Sequence, residues 1–333
     1  MNWAPLLVAA VCVLSPTAST AVKLTSFNFN IAADSITTSG VSAGGYMAVQ
    51  FHVAHSRYVK GSASFAAGPW FCAQDSLVFA EEKCMKNLHG GPNTRYLADL
   101  TVSEAALGAV DSPLLMRDHP VFIYSGTLDT VISPAVVQEL ETYYSYFIDK
   151  ENIVTSYDLH AEHSMPTLLS GAPCEQLGEP YLGRCDFDGA GAALKTLYGT
   201  GLTRGSSVTS NLFEFDQRPY FGAKWASLDD VGYIYVPTAC SDGSTKCKLH
   251  VSFHGCLQTR ELIGDAYARE AGYNEWAEAS NIVVVYPYAK ASPVNPNGCF
   301  DWWGYTDAMY ALKTGLQISF AERIILEITA GRV

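Results

Sequence analysis

The chain has 333 residues, of which 48% are hydrophobic, 12% aromatic and 16% charged, with a formal net charge of −12. That composition supports a packed core and excludes an intrinsically disordered chain. The negative charge disfavours nucleic acid or an anionic membrane surface as partner and fits an uncharged substrate.

Residues 1–21 read as a signal peptide, with an apolar core over 5–14 followed by the small residues Thr17-Ala18-Ser19-Thr20-Ala21, where a peptidase could cut. The apolar run is too short to span a bilayer, and no second apolar segment of about 18 residues follows. A secreted protein without a membrane partner is expected. Strand-like stretches lie at 35–38, 61–67, 120–125, 152–159, 232–237, 248–253 and 281–287, and helix-like ones at 46–55, 135–147, 190–198, 265–279 and 306–326. This alternation predicts an α/β sheet. No composition shift marks a linker, so residues 22–333 are expected to form one catalytic domain.

The most informative motif is Gly40-Val41-Ser42-Ala43-Gly44-Gly45, placed between a strand-like and a helix-like stretch. In a G-x-S-x-G turn the small residues let strand and helix pack closely. The serine hydroxyl then projects from the turn, and the next amide, here that of Ala43, can donate to an oxyanion. Taken without its context the motif would be only a common Gly/Ser turn.

A serine hydroxyl needs a base, and the base needs an orienting carboxylate. In the chain order Ser, Asp, His of α/β hydrolases, these follow successive later strands. Asp129 lies in Gly126-Thr127-Leu128-Asp129, after the 120–125 strand. Its bland alternative is a turn aspartate bonded to its own backbone. His163 lies in the loop after the next strand, and His160 is its rival. After the 248–253 strand comes His254-Gly255-Cys256, a pattern that supplies the second oxyanion amide in many esterases, here from Cys256. His254 reads as a structural histidine or as a competing base. Cys256 stands 214 residues after Ser42, whereas this loop usually precedes the nucleophile. The sheet is therefore expected to be circularly permuted.

Cys12 falls in the leader, and the other eight cysteines suit disulfides in a secreted chain. Sequence proximity predicts Cys72–Cys84, Cys174–Cys185, Cys240–Cys247 and Cys256–Cys299. No C-x-x-C pair or His ligand spacing supports a zinc site, so no metal is expected.

Together with Gly298-Cys299-Phe300-Asp301-Trp302-Trp303-Gly304-Tyr305, these motifs resemble the secreted poly(3-hydroxybutyrate) depolymerases, in the circularly permuted single-domain arrangement of the fungal type. The resemblance covers nearly all of the mature chain. It implies an α/β-hydrolase fold, a triad of Ser42, Asp129 and His163, oxyanion donors at Ala43 and Cys256, and a Cys256–Cys299 disulfide. It also places the Trp302-Trp303 pair beside the substrate cleft and favours His163 over His160. The family often shows Gly before this histidine, where the chain has Glu162.

The resemblance implies acyl transfer to Ser42 from a polyester or oligoester, and a monomer that uses no cofactor is expected. The alternatives are a feruloyl or acetyl carbohydrate esterase, and a non-catalytic secreted binding protein.

Overall fold

The computed structural model describes residues 21–222 and 226–333. The expected leader lies outside the described residues, except for Ala21. Among the described residues there are eleven strands: β1 Ile31–Val41, β2 Val59–Phe65, β3 Val121–Tyr124, β4 Ile153–Ser156, β5 Met165–Thr167, β6 Ala172–Pro173, β7 Leu182–Arg184, β8 Leu212–Asp216, β9 Val231–Tyr235, β10 Cys247–Phe253 and β11 Ile282–Tyr286.

Eight of them form one sheet in the order β4-β3-β2-β1-β10-β11-β9-β8. The six from β4 to β11 in that order are parallel, and β9 runs antiparallel between β11 and β8. Central parallel strands are covered on both faces, which requires near-continuous apolar runs. The Ile-Val-Val-Val-Tyr of β11 is buried at every position. On one face the core includes the helix α1 (Ala43–Ala54) and the helices Pro134–Ser145 and Leu316–Thr329. On the other it includes Gly189–Tyr198 and Tyr273–Ser280. This is the expected α/β layering, and it is that of an α/β hydrolase.

The parallel strands carry the loops after β1, β3, β4 and β10 to one edge of the sheet. That edge is where open α/β sheets bind ligands. β1 and β10 are neighbours although they are far apart in the chain, with Ile36 to Gly40 in continuous register against Leu249 to Phe253. The half of the sheet that carries Ser42 thus comes first in the sequence and the half that carries Cys256 last.

Several elements differ from the sequence reading. The 35–38 stretch is only part of an 11-residue strand. The strand expected over 152–159 is Ile153–Ser156. The helix expected over 265–279 is two helices, Ala266–Glu270 and Tyr273–Ser280, broken at Gly272 with φ of 94°. The last helix is Leu316–Thr329 rather than 306–326, and residues 301–306 form a loop around the buried Asp301 instead. The edge strand β8 and the small sheet β5-β7-β6 have no counterpart in the sequence reading.

Candidate active site

Ser42 is the single residue between β1 and α1. Its φ of 57° and ψ of −124° are strained for a residue with a side chain. Such a conformation persists only where the surroundings over-determine it, typically at functional sites. Here the Ser42 N–H donates to Phe65 O at 2.8 Å, and Tyr46 N–H donates to Ser42 O at 3.0 Å. The flanking glycines follow from close backbone approach. A Cβ on Gly40 would overlap the Gly44 carbonyl, and one on Gly44 would overlap the carbonyls of Phe253 and His254. Strand, helix and oxyanion loop therefore meet at this turn with no room for side chains.

Asp129 and His163 come together from the loops after β3 and β4. Asp129 Oδ2 accepts from His163 Nδ1 at 2.8 Å, and Oδ1 accepts from the N–H groups of Val131 and Ile132 at 2.9 and 2.8 Å. Both residues are buried. The bland turn reading of Asp129 thus describes one of its oxygens, while the other holds the imidazole. His160 is exposed and faces Thr127 and Glu175 instead. A buried carboxylate on Nδ1 leaves Nε2 as the basic nitrogen, the arrangement that takes a proton from a serine.

His254 is structural. Ala289 N–H donates to its Nε2 at 3.1 Å, so the ring proton sits on Nδ1, which donates to Gly255 O at 2.7 Å. Burial pushes the imidazole down to about 4, against the opposing pull of the Gly255 carbonyl. The Gly255–Cys256 peptide is planar. Pinning its carbonyl on one side fixes the Cys256 N–H on the other. Among the described residues, neither the Ala43 nor the Cys256 N–H donates to a protein acceptor. Two unpaired amides beside a serine are what an oxyanion requires.

A cavity of about 600 Å³ is lined by Ser42, His163, Cys256, Trp302 and Trp303, with the exposed Val294 at its rim. Trp302 is 6% exposed and stacks on Tyr46, with centroids 4.4 Å apart and planes at 11°. Trp303 is half-buried and meets Trp302 edge-on at 5.6 Å. Both sit in a loop built on Asp301, a group the sequence reading did not single out. Its Oδ1 accepts from the N–H groups of Trp303, Gly304 and Tyr305, and its Oδ2 from Thr306 N–H and Oγ1. Burial raises the Asp301 pKa, and those donors pull it back only in part.

The four predicted disulfides are all present. Cys256–Cys299 ties the oxyanion loop to the tryptophan loop. A second serine–histidine contact, Ser39 Oγ to His250 Nε2 at 2.7 Å, lies wholly inside the sheet. Among the described residues His250 touches no carboxylate; its other nitrogen meets Thr37 Oγ1. That pair belongs to the core.

No protein-family model matches the chain. It is 40% identical over 299 residues to a poly(3-hydroxybutyrate) depolymerase of Delftia acidovorans, covering 89% of this chain but spanning 60% of that protein. The structure resembles a crystal structure of PHB depolymerase from Penicillium funiculosum with a TM-score of 0.85 at 31% identity, covering 94% of this chain and 99% of that one. The same values hold for a serine-to-alanine variant of PHB depolymerase complexed with an R3HB trimer. Sequence agrees with shape: at 32% identity over 319 residues, covering 91% of this chain and 92% of a polyhydroxybutyrate depolymerase of Talaromyces funiculosus, the chain belongs to the polyhydroxybutyrate depolymerase family, whose members are carboxylic ester hydrolases.

Proposed function

We propose that residues 22–333 form the catalytic domain of a secreted serine esterase that hydrolyses poly[(R)-3-hydroxybutyrate] or its oligomers. The observation that carries this reading is the meeting of Ser42, His163 and Cys256 on one cavity, with Asp129 bonded to His163 behind it. The relative complexed with an R3HB trimer supports the choice of ester. Four disulfides suit an oxidising compartment. The chain order of the sheet supports a circular permutation.

In this mechanism His163 takes the Ser42 proton as Oγ attacks the ester carbonyl. The amides of Ala43 and Cys256 receive the developing oxyanion. Asp129 keeps the ring in the productive tautomer and stabilises its cation. The alcohol end of the polyester leaves with the proton from His163. Water, activated by the same imidazole, then releases the acyl group from Ser42. The Trp302-Trp303 pair borders the cleft, with the half-buried Trp303 offering its open face to the repeating unit and Trp302 packed behind it on Tyr46.

The test is release of 3-hydroxybutyrate from polymer film by purified protein, with feruloylated xylan as the competing substrate. Ser42→Ala is expected to lower turnover by about 10⁴-fold or more. A fluorophosphonate probe is expected to label Ser42. Ferulate release without 3-hydroxybutyrate release would replace the substrate, and a protein that hydrolyses no ester and takes no label would end the proposal.

A further inference from the structure

On the reading that Ser42, Asp129 and His163 act together, we infer that Glu162 is a positioning residue that clamps the His163 loop to the Asp129 loop. The two loops are paired rung by rung. Thr127 N–H donates to Leu159 O at 2.9 Å, and Leu128 N–H donates to Ala161 O at 3.1 Å. Backbone pairing between the loops then stops, because the Asp129 N–H turns back to Gly126 O at 3.3 Å.

The Glu162 side chain continues the ladder where the backbone leaves it. Its Oε1 accepts from Thr130 Oγ1. Its Oε2 accepts from Thr130 N–H at 3.3 Å and from His163 N–H at 2.6 Å. One carboxylate thus joins the residue after the acid to the backbone of the base. The Glu162 N–H donates to Cys174 O at 2.9 Å, which ties it to the disulfide-closed segment behind. The residue is only 8% exposed. Burial raises its carboxyl pKa, but the donors from Thr130 and His163 outweigh that and hold it below the usual carboxylate range. Glu162 is not among the residues lining the cavity. It therefore acts through His163 rather than on substrate.

The position matters because the imidazole must face Asp129 with one nitrogen and the serine with the other. A shift of about 1 Å in such a group costs about 10²-fold in rate. Two readouts test the clamp together: kcat and KM on a soluble p-nitrophenyl ester, and the downfield Nδ1 proton of His163 in NMR spectra, assigned by its loss in His163→Ala.

Glu162→Ala is expected to lower kcat by about 10²-fold, to leave KM within about threefold, and to abolish the downfield proton. In Glu162→Gln the amide oxygen can take both N–H bonds and the amide nitrogen can donate to Thr130 Oγ1. That variant is expected to recover kcat to within about threefold and to restore the signal. Native kcat or a retained proton in Glu162→Ala would overturn the inference. So would a Glu162→Gln variant as impaired as Glu162→Ala. If Glu162→Ala does not fold, Thr130→Val removes the hydroxyl rung alone, with an expected loss in kcat of about threefold or more at constant KM; unchanged kcat would count against the clamp. The proton reports the His163–Asp129 bond without turnover, so a protein with no esterase activity still shows whether Glu162 sets that bond.

Discussion

The carboxylate of Asp129 divides its work between backbone and imidazole, with Oδ1 held by the N–H groups of Val131 and Ile132 and Oδ2 placed 2.8 Å from Nδ1 of His163. The first oxygen is locked by its own turn, so the second has one place to point. Asp129→Asn keeps the shape of this contact but offers an amide N–H where the imidazole N–H needs an acceptor. The ring then holds its proton on the wrong nitrogen. Turnover is expected to fall by about 10⁴-fold with little change in melting temperature. Steady-state kinetics on a soluble ester checks this, and a loss below about tenfold would remove Asp129 from the mechanism.

On the proposed mechanism, His254 reaches the chemistry through a peptide plane. Its Nδ1 holds the Gly255 carbonyl at 2.7 Å and so sets the direction of the Cys256 N–H. His254→Phe keeps much of the ring volume and removes that donor. The peptide can then rotate, and one oxyanion amide is lost. The expected fall in kcat is about 10²- to 10³-fold, the usual size for one such donor. Leaving Gly255 O and Ala289 N–H without their partner also costs about 1–3 kcal/mol each. If kcat stays near native while the melting temperature drops, the histidine serves the fold alone.

The neighbouring tryptophans divide differently. Trp302 is buried against Tyr46, whereas Trp303 keeps an open face on the cavity. Trp302→Ala is expected to cost about 3–5 kcal/mol of stability, as deletion of a buried aromatic does. Trp303→Ala is expected to raise KM for oligomeric ester by about tenfold and to leave the melting temperature within a few degrees, because its open face lines the cavity. Thermal melts and oligomer kinetics on both variants decide the matter. The reverse pattern would exchange the two roles.

What the sequence made legible was the part governed by local geometry. Gly40 and Gly44 declare the elbow around Ser42, because a Cβ on Gly40 would meet the Gly44 and Phe253 carbonyls and one on Gly44 those of Phe253 and His254. Asp129 and His163 follow from the rule that parallel strands deliver their loops to one edge. The disulfides followed sequence proximity. The hidden part depended on long-range polar contacts. Asp301 looks like an ordinary acidic residue in a Trp-rich stretch, yet five donors from residues 303–306 converge on it and hold that stretch as a loop. Glu162 was visible only as a neighbour of the histidine; its partner Thr130 lies 32 residues away. The break at Gly272 was readable in principle, since a glycine interrupts the helical stretch there.

Acid sensitivity follows from histidines that are buried in neutral form. Burial pushes His250 down to about 3 and His55, His119 and His254 to about 4, and it holds His52 well below its ordinary value. In the unfolded chain each binds a proton below about 6.5, but in the folded chain it does so only near the depressed value. Between those limits the unfolded state carries more protons, so stability falls as pH falls. One histidine moved to about 4 removes up to roughly 3 kcal/mol across that window. Asp301 and Glu322 act in the opposite sense, because burial raises their carboxyl pKa values and protonation then favours the folded state. Two such groups face five histidines, so the net slope remains that of the histidines. The melting temperature is expected to fall continuously from pH 7 to about 4.5. His55→Gln is expected to flatten the slope by about 1.4 kcal/mol per pH unit, the contribution of one proton. His55 Nε2 has no hydrogen-bond partner among the described residues, so the substitution breaks no bond at that atom. A melting temperature that holds constant over this range, or a His55→Gln slope equal to that of the native chain, would show that these imidazoles gain protons without unfolding.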